Sequence, residues 1–239
     1  MDFLLINDDG IDARGIHELA KALSKAGNVY VCAPHVQRST TGHGITIGKP
    51  LDVKEVPFEE AVKAWECDGY PADCTKMGIF MMGKKPDMIF SGINHGGNIG
   101  HDTLYSGTVA AAAEGSYFNI PSVAVSVDDM DPQYFEMATQ LALKTASLKF
   151  DPSLVININT PNLPKEEIKG VKFCHIGERR YTDHYEPIGD KFHLVGDLLP
   201  YDGDDQFCDA YNIEKGYAVI TPLKMNLTGD VKELEEIYK

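Results

Sequence analysis

Short, nearly unbroken apolar runs alternate along this chain with longer stretches whose apolar positions fall three and four residues apart. The runs are "FLLI" (3–6), "NVYVCAP" (28–34), "PDMIFSG" (86–92), "IPSVAVSV" (120–127) and "SLVININTP" (153–161), and each predicts a buried strand bounded by turn residues. The intervening periodicity predicts helices over residues 15–26, 71–82, 106–118 and 133–148. Strand and helix in alternation predict an α/β fold with a mostly parallel sheet. After about residue 165 the rhythm changes. "VKFCHIG", "YTDHYEPIG" and "KFHLVG" read as hairpin strands, "DAYNIEKGYAVITPL" as a helix returning to a strand, and "GDVKELEEIYK" as a terminal helix. The predicted organisation is a core over 1–165 and a smaller, non-independent α+β extension over 166–239. In the terminal helix Val231, Leu234 and Ile237 form a stripe that needs a partner, either this chain's own core or a second subunit.

Composition narrows the class. With 239 residues and 43% hydrophobic content the chain can bury a sizeable core. No stretch is apolar for long enough to cross a bilayer, and the amino terminus enters a strand without a basic leader, so the expected location is cytoplasmic, with no membrane partner. Five cysteines, scattered and without Cys-x-x-Cys spacing, argue for a reducing compartment and against a zinc site. A formal charge of −14 argues against nucleic acid as a partner. An anion must therefore be met locally, by a metal ion or by backbone donors.

Common catalytic motifs are absent. Residues 78–84 have P-loop glycine spacing, yet Lys85 stands where Ser or Thr is required, and a buried helix ending at Gly83 explains the spacing better. The eight histidines are isolated; His43, His95 and His101 lie in glycine-rich loops and are candidates for substrate contact.

Three strand ends carry the chemistry. Asp8 and Asp9 follow the first strand, a loop rich in hydroxyls that contains Ser39 follows the second, and "INHGGNIGHDTLYSGT", with Asn94 and Asn98, follows "DMIFSG". If these strands are neighbours, the loops converge on one crevice at the carboxyl edge of the sheet, where α/β proteins bind ligands. Carboxylates, a hydroxyl and an amide carbonyl are hard oxygen donors suited to Mg²⁺ or Mn²⁺. The alanine-rich helix that follows is capped by Ser106. Its first turn, through Gly107 and Thr108, offers N–H groups and the positive end of a helix dipole to a phosphate.

"NDDGIDARGI", "APHVQRSTTGHGIT", "YPADC", "PDMIFSGINHGGNIGHDTLYSGTVAAAAEG" and "GYAVITPL", in this order, resemble the SurE family, the survival-protein 5′-nucleotidases, over most of the chain. The resemblance implies a Rossmann-like three-layer core with a carboxyl-terminal extension, and a homodimer or homotetramer. It also implies a phosphatase that hydrolyses nucleoside 5′-monophosphates with one divalent metal ion, Mg²⁺ or Mn²⁺. It maps the metal to Asp8, Asp9, Ser39 and Asn94, the phosphate to Asn98 and Ser106, and the catalytic set to Asp8, Asp9, Asn98 and Ser106. The chain departs from the usual pattern at residues 12–15, at Thr40 where Gly commonly follows the loop Ser, and at Gly44 where Ser is common. Two other readings of the acidic pair are a haloacid-dehalogenase-like phosphatase with an aspartyl nucleophile and a receiver-like Mg²⁺-binding signalling module. The first wants Asp-x-Asp; the second wants a later acceptor Asp where this chain has Ser91.

Overall fold

Phe3 and Leu5 face one side of the first strand and Leu4 and Ile6 the other, and all four are fully buried, as a central strand covered on both faces requires. The computed structural model describes residues 1–238. In chain order its elements are β1 (Asp2–Ile6), α1 (Arg14–Leu23), β2 (Asn28–Pro34), β3 (Val53–Val56), β4 (Lys63–Cys67), α2 (Pro71–Met82), β5 (Met88–His95), α3 (Gly107–Tyr117), β6 (Ser122–Asp128), α4 (Glu136–Ala146), β7 (Leu154–Pro161), β8 (Val171–Phe173), β9 (His184–Ile188), β10 (Lys191–Val195), α5 (Asp209–Glu214), β11 (Ala218–Lys224) and α6 (Val231–Ile237).

The main sheet has nine strands in the order β3-β4-β2-β1-β5-β6-β7-β11-β8. From β4 to β7 it is parallel, whereas β3 and β11 run antiparallel to their neighbours β4 and β7. Helices α1 and α4 cover the Phe3 and Leu5 face, and α2 and α3 cover the Leu4 and Ile6 face. Ala110–Ala113 are all buried, so the small side chains let α3 settle close to the strands. Because β1 sends the chain to β2 on one side and receives β5 on the other, a crevice opens at the carboxyl ends of β1 and β5.

Several elements differ from the sequence reading. Strand β5 continues past Gly92 to His95, with a register shift between Ser91 and Asn94, so Asn94 stands on a strand end rather than in a loop. Strands β3 and β4 were not anticipated. "VKFCHIG" contributes β8, which pairs in parallel with β11 and is not part of a hairpin; the hairpin is β9 with β10 alone. The sheet therefore crosses position 165, since β11 lies between β7 and β8. Val231, Leu234 and Ile237 of α6 are exposed, as are Tyr185, Ile188, Phe192 and Leu194 of the hairpin. Among the described residues no helix is long and apolar enough to cross a membrane.

Candidate active site

The apolar run of β1 ends at Ile6, and the next side chain, Asn7, folds back to donate to the Gly10 carbonyl at 2.6 Å, which sets the turn that carries the two aspartates. Asp8 is buried. The Thr108 hydroxyl donates to its Oδ1 at 2.6 Å and the Thr108 N–H to its Oδ2 at 3.2 Å. Asp9, less enclosed, accepts from the His95 N–H at 3.0 Å and from Gln37 Nε2 at 3.3 Å. One aspartate is thus tied to α3 and the other to the end of β5 and the loop after β2. Burial and the neighbouring Asp9 push the Asp8 carboxyl up to about 6, and burial also raises Asp9. Two adjacent carboxylates held out of water repel each other until a cation joins them.

Asn94 turns its Nδ2 to the Gly96 carbonyl at 2.7 Å, and its Oδ1 lies 3.4 Å from the Thr108 hydroxyl, beside Asp8. Among the described residues no three His, Cys, Asp or Glu side chains cluster as metal ligands. An ion here would therefore draw on Asp8, Asp9 and neutral oxygens such as Asn94 Oδ1, a hard donor set that fits Mg²⁺ or Mn²⁺. The loop of Ser39 reaches the crevice because the Arg38 N–H donates to the Asp8 carbonyl at 2.6 Å. Ser39 itself is exposed and makes no side-chain hydrogen bond among the described residues. Thr40 follows it at φ 57°, in the left-handed region that disfavours a β-branched residue.

The other wall of the crevice is built by α3. Ser106 accepts the Val109 N–H on its Oγ at 3.0 Å, so its own hydroxyl proton remains available, and no acidic residue occupies the first turn. Gly107 is required by space, because a Cβ there would lie 3.0 Å from Asp8 Cβ and 2.9 Å from Pro71 Cγ. Asn98 is held on its sheet side by β6 and β7. Its N–H donates to Asn159 Oδ1 at 2.8 Å, its carbonyl accepts from Asn157 and Asn159 side chains, and one Nδ2 hydrogen goes to Ser126 Oγ at 2.8 Å, which leaves the second hydrogen free.

The three histidines part company. His95 joins the pair through its backbone, while its ring leans on Phe135 and burial lowers its basicity. His43 is drawn away to α3, 2.8 Å from Glu114 Oε2, and Lys76 meets the other oxygen at 2.5 Å. Burial opposes the Glu114 charge, but these two partners outweigh it and hold the carboxyl below its usual range. His101 lines a cavity of about 490 Å³ between the glycine-rich loop and the carboxyl-terminal segment, with Ile99, Arg179, Leu198 and Tyr201 in its wall. Neither Asp8 nor Asp9 lines that cavity, so it is separate from the acidic pair.

Sequence reasoning missed the supports. Asn157 and Asn159 were legible in principle, as polar residues alternating inside an otherwise apolar strand. Gln37, Ser126, Asp128, Arg179 and Asp209 gave no local signal.

The family model of survival protein SurE matches residues 3–183. The protein named 5′-nucleotidase SurE from Clostridium botulinum (strain Eklund 17B / Type B) is 40% identical, over 100% of this chain and 99% of that relative. Its namesake from Synechococcus elongatus (strain ATCC 33912 / PCC 7942 / FACHB-805) is 39% identical, over 95% of each. The crystal structure of the Sure protein from Aquifex aeolicus superposes with a TM-score of 0.86 at 33% identity, over 100% of both chains.

Proposed function

The chain belongs to the SurE family, and from that premise we propose that it is a phosphoric monoester hydrolase, a 5′-nucleotidase that converts nucleoside 5′-monophosphates to nucleoside and phosphate with the help of a divalent cation. The observation that carries this reading is the meeting of Asp8 with the start of α3: a buried carboxylate pair abuts a helix N-terminus that holds no acid of its own. Cation and anion are thereby invited to adjacent positions, as phosphoryl transfer needs.

Asp8, Asp9, Asn94 and, from the rim, Ser39 would hold Mg²⁺ or Mn²⁺, which when bound supplies Lewis-acid stabilisation of phosphoryl charge and a more acidic bound water. The chain's own residues then position the ester. The Ser106 hydroxyl, the Gly107 N–H and the free Nδ2 hydrogen of Asn98 are donors for its equatorial oxygens. Thr108, expected to meet the phosphate, instead donates its N–H and its hydroxyl to the two oxygens of Asp8 and keeps that carboxylate in register. The nucleoside end would extend toward the cavity past Ile99 and His101. Both competing readings lose support from geometry: each Asp8 oxygen already accepts from Thr108, which suits a ligand holder better than a nucleophile, and Ser91 is sealed inside β5 where a receiver needs an exposed acceptor carboxylate.

The exposed stripe of α6 and the apolar hairpin support a homodimer or homotetramer, and five buried free thiols suit a reducing, cytoplasmic compartment. The deciding experiment measures phosphate released from a panel of nucleoside 5′-monophosphates with Mn²⁺ or Mg²⁺ and again with chelator. Metal-restored turnover is expected; chelator-resistant hydrolysis, or none with any metal, sinks the reading.

A further inference from the structure

The glycine-rich loop is gripped from outside by a segment that contributes no residue to the acidic pair. Arg179 is almost enclosed, with 13% of its side chain exposed. Its Nη2 donates to Asp128 Oδ1 at 2.9 Å, at the end of β6, and its Nη1 to the Gly97 carbonyl at 3.3 Å, with Asp102 Oδ2 at 3.6 Å from the same nitrogen. Tyr181 donates to that Asp102 oxygen at 2.5 Å. Asp209 closes the other side, accepting from the Gly100 N–H at 3.0 Å and the Gly177 N–H at 2.7 Å. The approach is so close that a Cβ on Gly100, itself at φ 56°, would lie 2.8 Å from the Gly177 carbonyl. Asn98 lies between the gripped positions 97 and 100.

We propose that Arg179 is a positioning residue for the phosphate-binding loop, its guanidinium bridging Gly97 and Asp102 to the end of β6 and thereby holding from outside the backbone on either side of Asn98, which Ser126, Asn157 and Asn159 hold from the sheet. The inference rests on the phosphatase reading only for its activity arm. Charge makes the bridge matter beyond packing. Asp102 and Asp128 share this one guanidinium, and without it two carboxylates would flank a loop meant to receive a phosphate dianion. Arg180 cannot replace it, being exposed and paired with Glu178 and Asp202. A planar guanidinium reaches three acceptors at once, whereas an ammonium reaches fewer in fixed directions.

The test uses the full chain with Arg179→Ala and Arg179→Lys. Amide exchange over residues 96–104 should accelerate at least about tenfold in Arg179→Ala while β1 and β2 exchange as in the wild type. Displacing the loop by an ångström should lower kcat/KM for a nucleoside 5′-monophosphate about 100-fold, largely through KM, and weaken inhibition by inorganic phosphate. Arg179→Lys should fall between, and millimolar guanidinium should restore part of the alanine variant's activity. Unchanged loop exchange, or kcat/KM within about threefold of wild type in folded Arg179→Ala, overturns the proposal, as does a fall in thermal stability with turnover per folded molecule intact. Should the alanine variant fail to fold, the lysine variant decides by the same readings. A wild type that hydrolyses no nucleotide ends the phosphatase reading, and loop exchange then decides the bridge by itself.

Discussion

Helices α2 and α3 pack against each other on one face of the sheet and both start at its carboxyl edge, yet their first turns are finished in opposite ways. Helix α2 closes its own end. Pro71 has no N–H to satisfy, and Asp73 in the first turn accepts from the Tyr70 N–H and the Thr46 N–H, each at 3.0 Å. Helix α3 carries no first-turn acid; its nearest carboxylate, Asp8, is delivered by a different element about a hundred residues earlier in the chain. On the function proposed above, the self-sufficient start of α2 is structural and the start of α3, which borrows its counter-charge, keeps room for a ligand. The loop after β2 touches both starts, through Thr46 at α2 and through Gly42, whose N–H donates to the Tyr105 carbonyl just before α3.

The comparison breaks most decisively at Asp8. Asp8→Asn should remain folded and lose about 10³-fold in turnover, about 4 kcal/mol of barrier. Its pH behaviour gives an independent check. Because the folded-state pKa of Asp8 is raised to about 6 from an ordinary 3.8, the stability linked to its protonated form is full below the ordinary value and is lost as pH rises through about 6. In chelator, therefore, the wild type should lose about 2.4 kcal/mol relative to Asp8→Asn between pH 4 and 7. Parallel denaturant titrations of the two proteins would read this, and coincident pH profiles would refute the buried charge.

Ser106→Ala tests the open helix start. If the hydroxyl both caps and binds, stability should fall by about 1 kcal/mol and kcat/KM by about 10–100-fold. Equal small losses in both would return α3 to the same class as α2. The mirror experiment is Asp73→Asn, expected to cost about 1–2 kcal/mol in thermal denaturation while kcat/KM per folded molecule stays within about threefold. A large catalytic loss there would erase the distinction. The smallest expected effect is at the shared loop. Thr40→Gly should relieve the left-handed backbone and stabilise by about 0.5 kcal/mol net of the entropy of glycine, and a destabilised variant would count against strain at that position.

These contrasts were unevenly visible in the sequence. Helix α2 was legible to its ends, because Pro71 and Gly83 mark them and the run between is apolar. The strand ends carrying Asp8 and Asn94 were placed together correctly in outline, since β2, β1 and β5 are neighbours. Strand β5 was cut short after Gly92 because Asn94 and His95 have poor strand propensity, and their pairing with Ser126 and Val127 of β6 carries the strand on past the register shift. Edge strand β3 and strand β4 were invisible for a related reason: "VKEV" and "KAWEC" are short and interrupted by charges, although Trp65 and Cys67 of β4 are buried. A parallel partner for β8 has no local signature at all. Nor does Arg179, one of two adjacent arginines in a polar stretch, since what distinguishes it lies 82 residues away at Gly97.

That separation gives the molecule a schedule. Strand β8 ends at Phe173 but pairs only with β11, which begins at Ala218 and must slot between β7 and β8. During synthesis from the amino terminus, the aspartates, Asn94 and α3 can gather around β1 long before the edge of the sheet exists, whereas the hold of Asp209 on Gly100 spans 109 residues and comes late. Contacts of such range are slow to form because closure of the chain precedes any reward for it. The glycine-rich loop would then be the last part of the crevice to set, after the aspartates and α3 have already met.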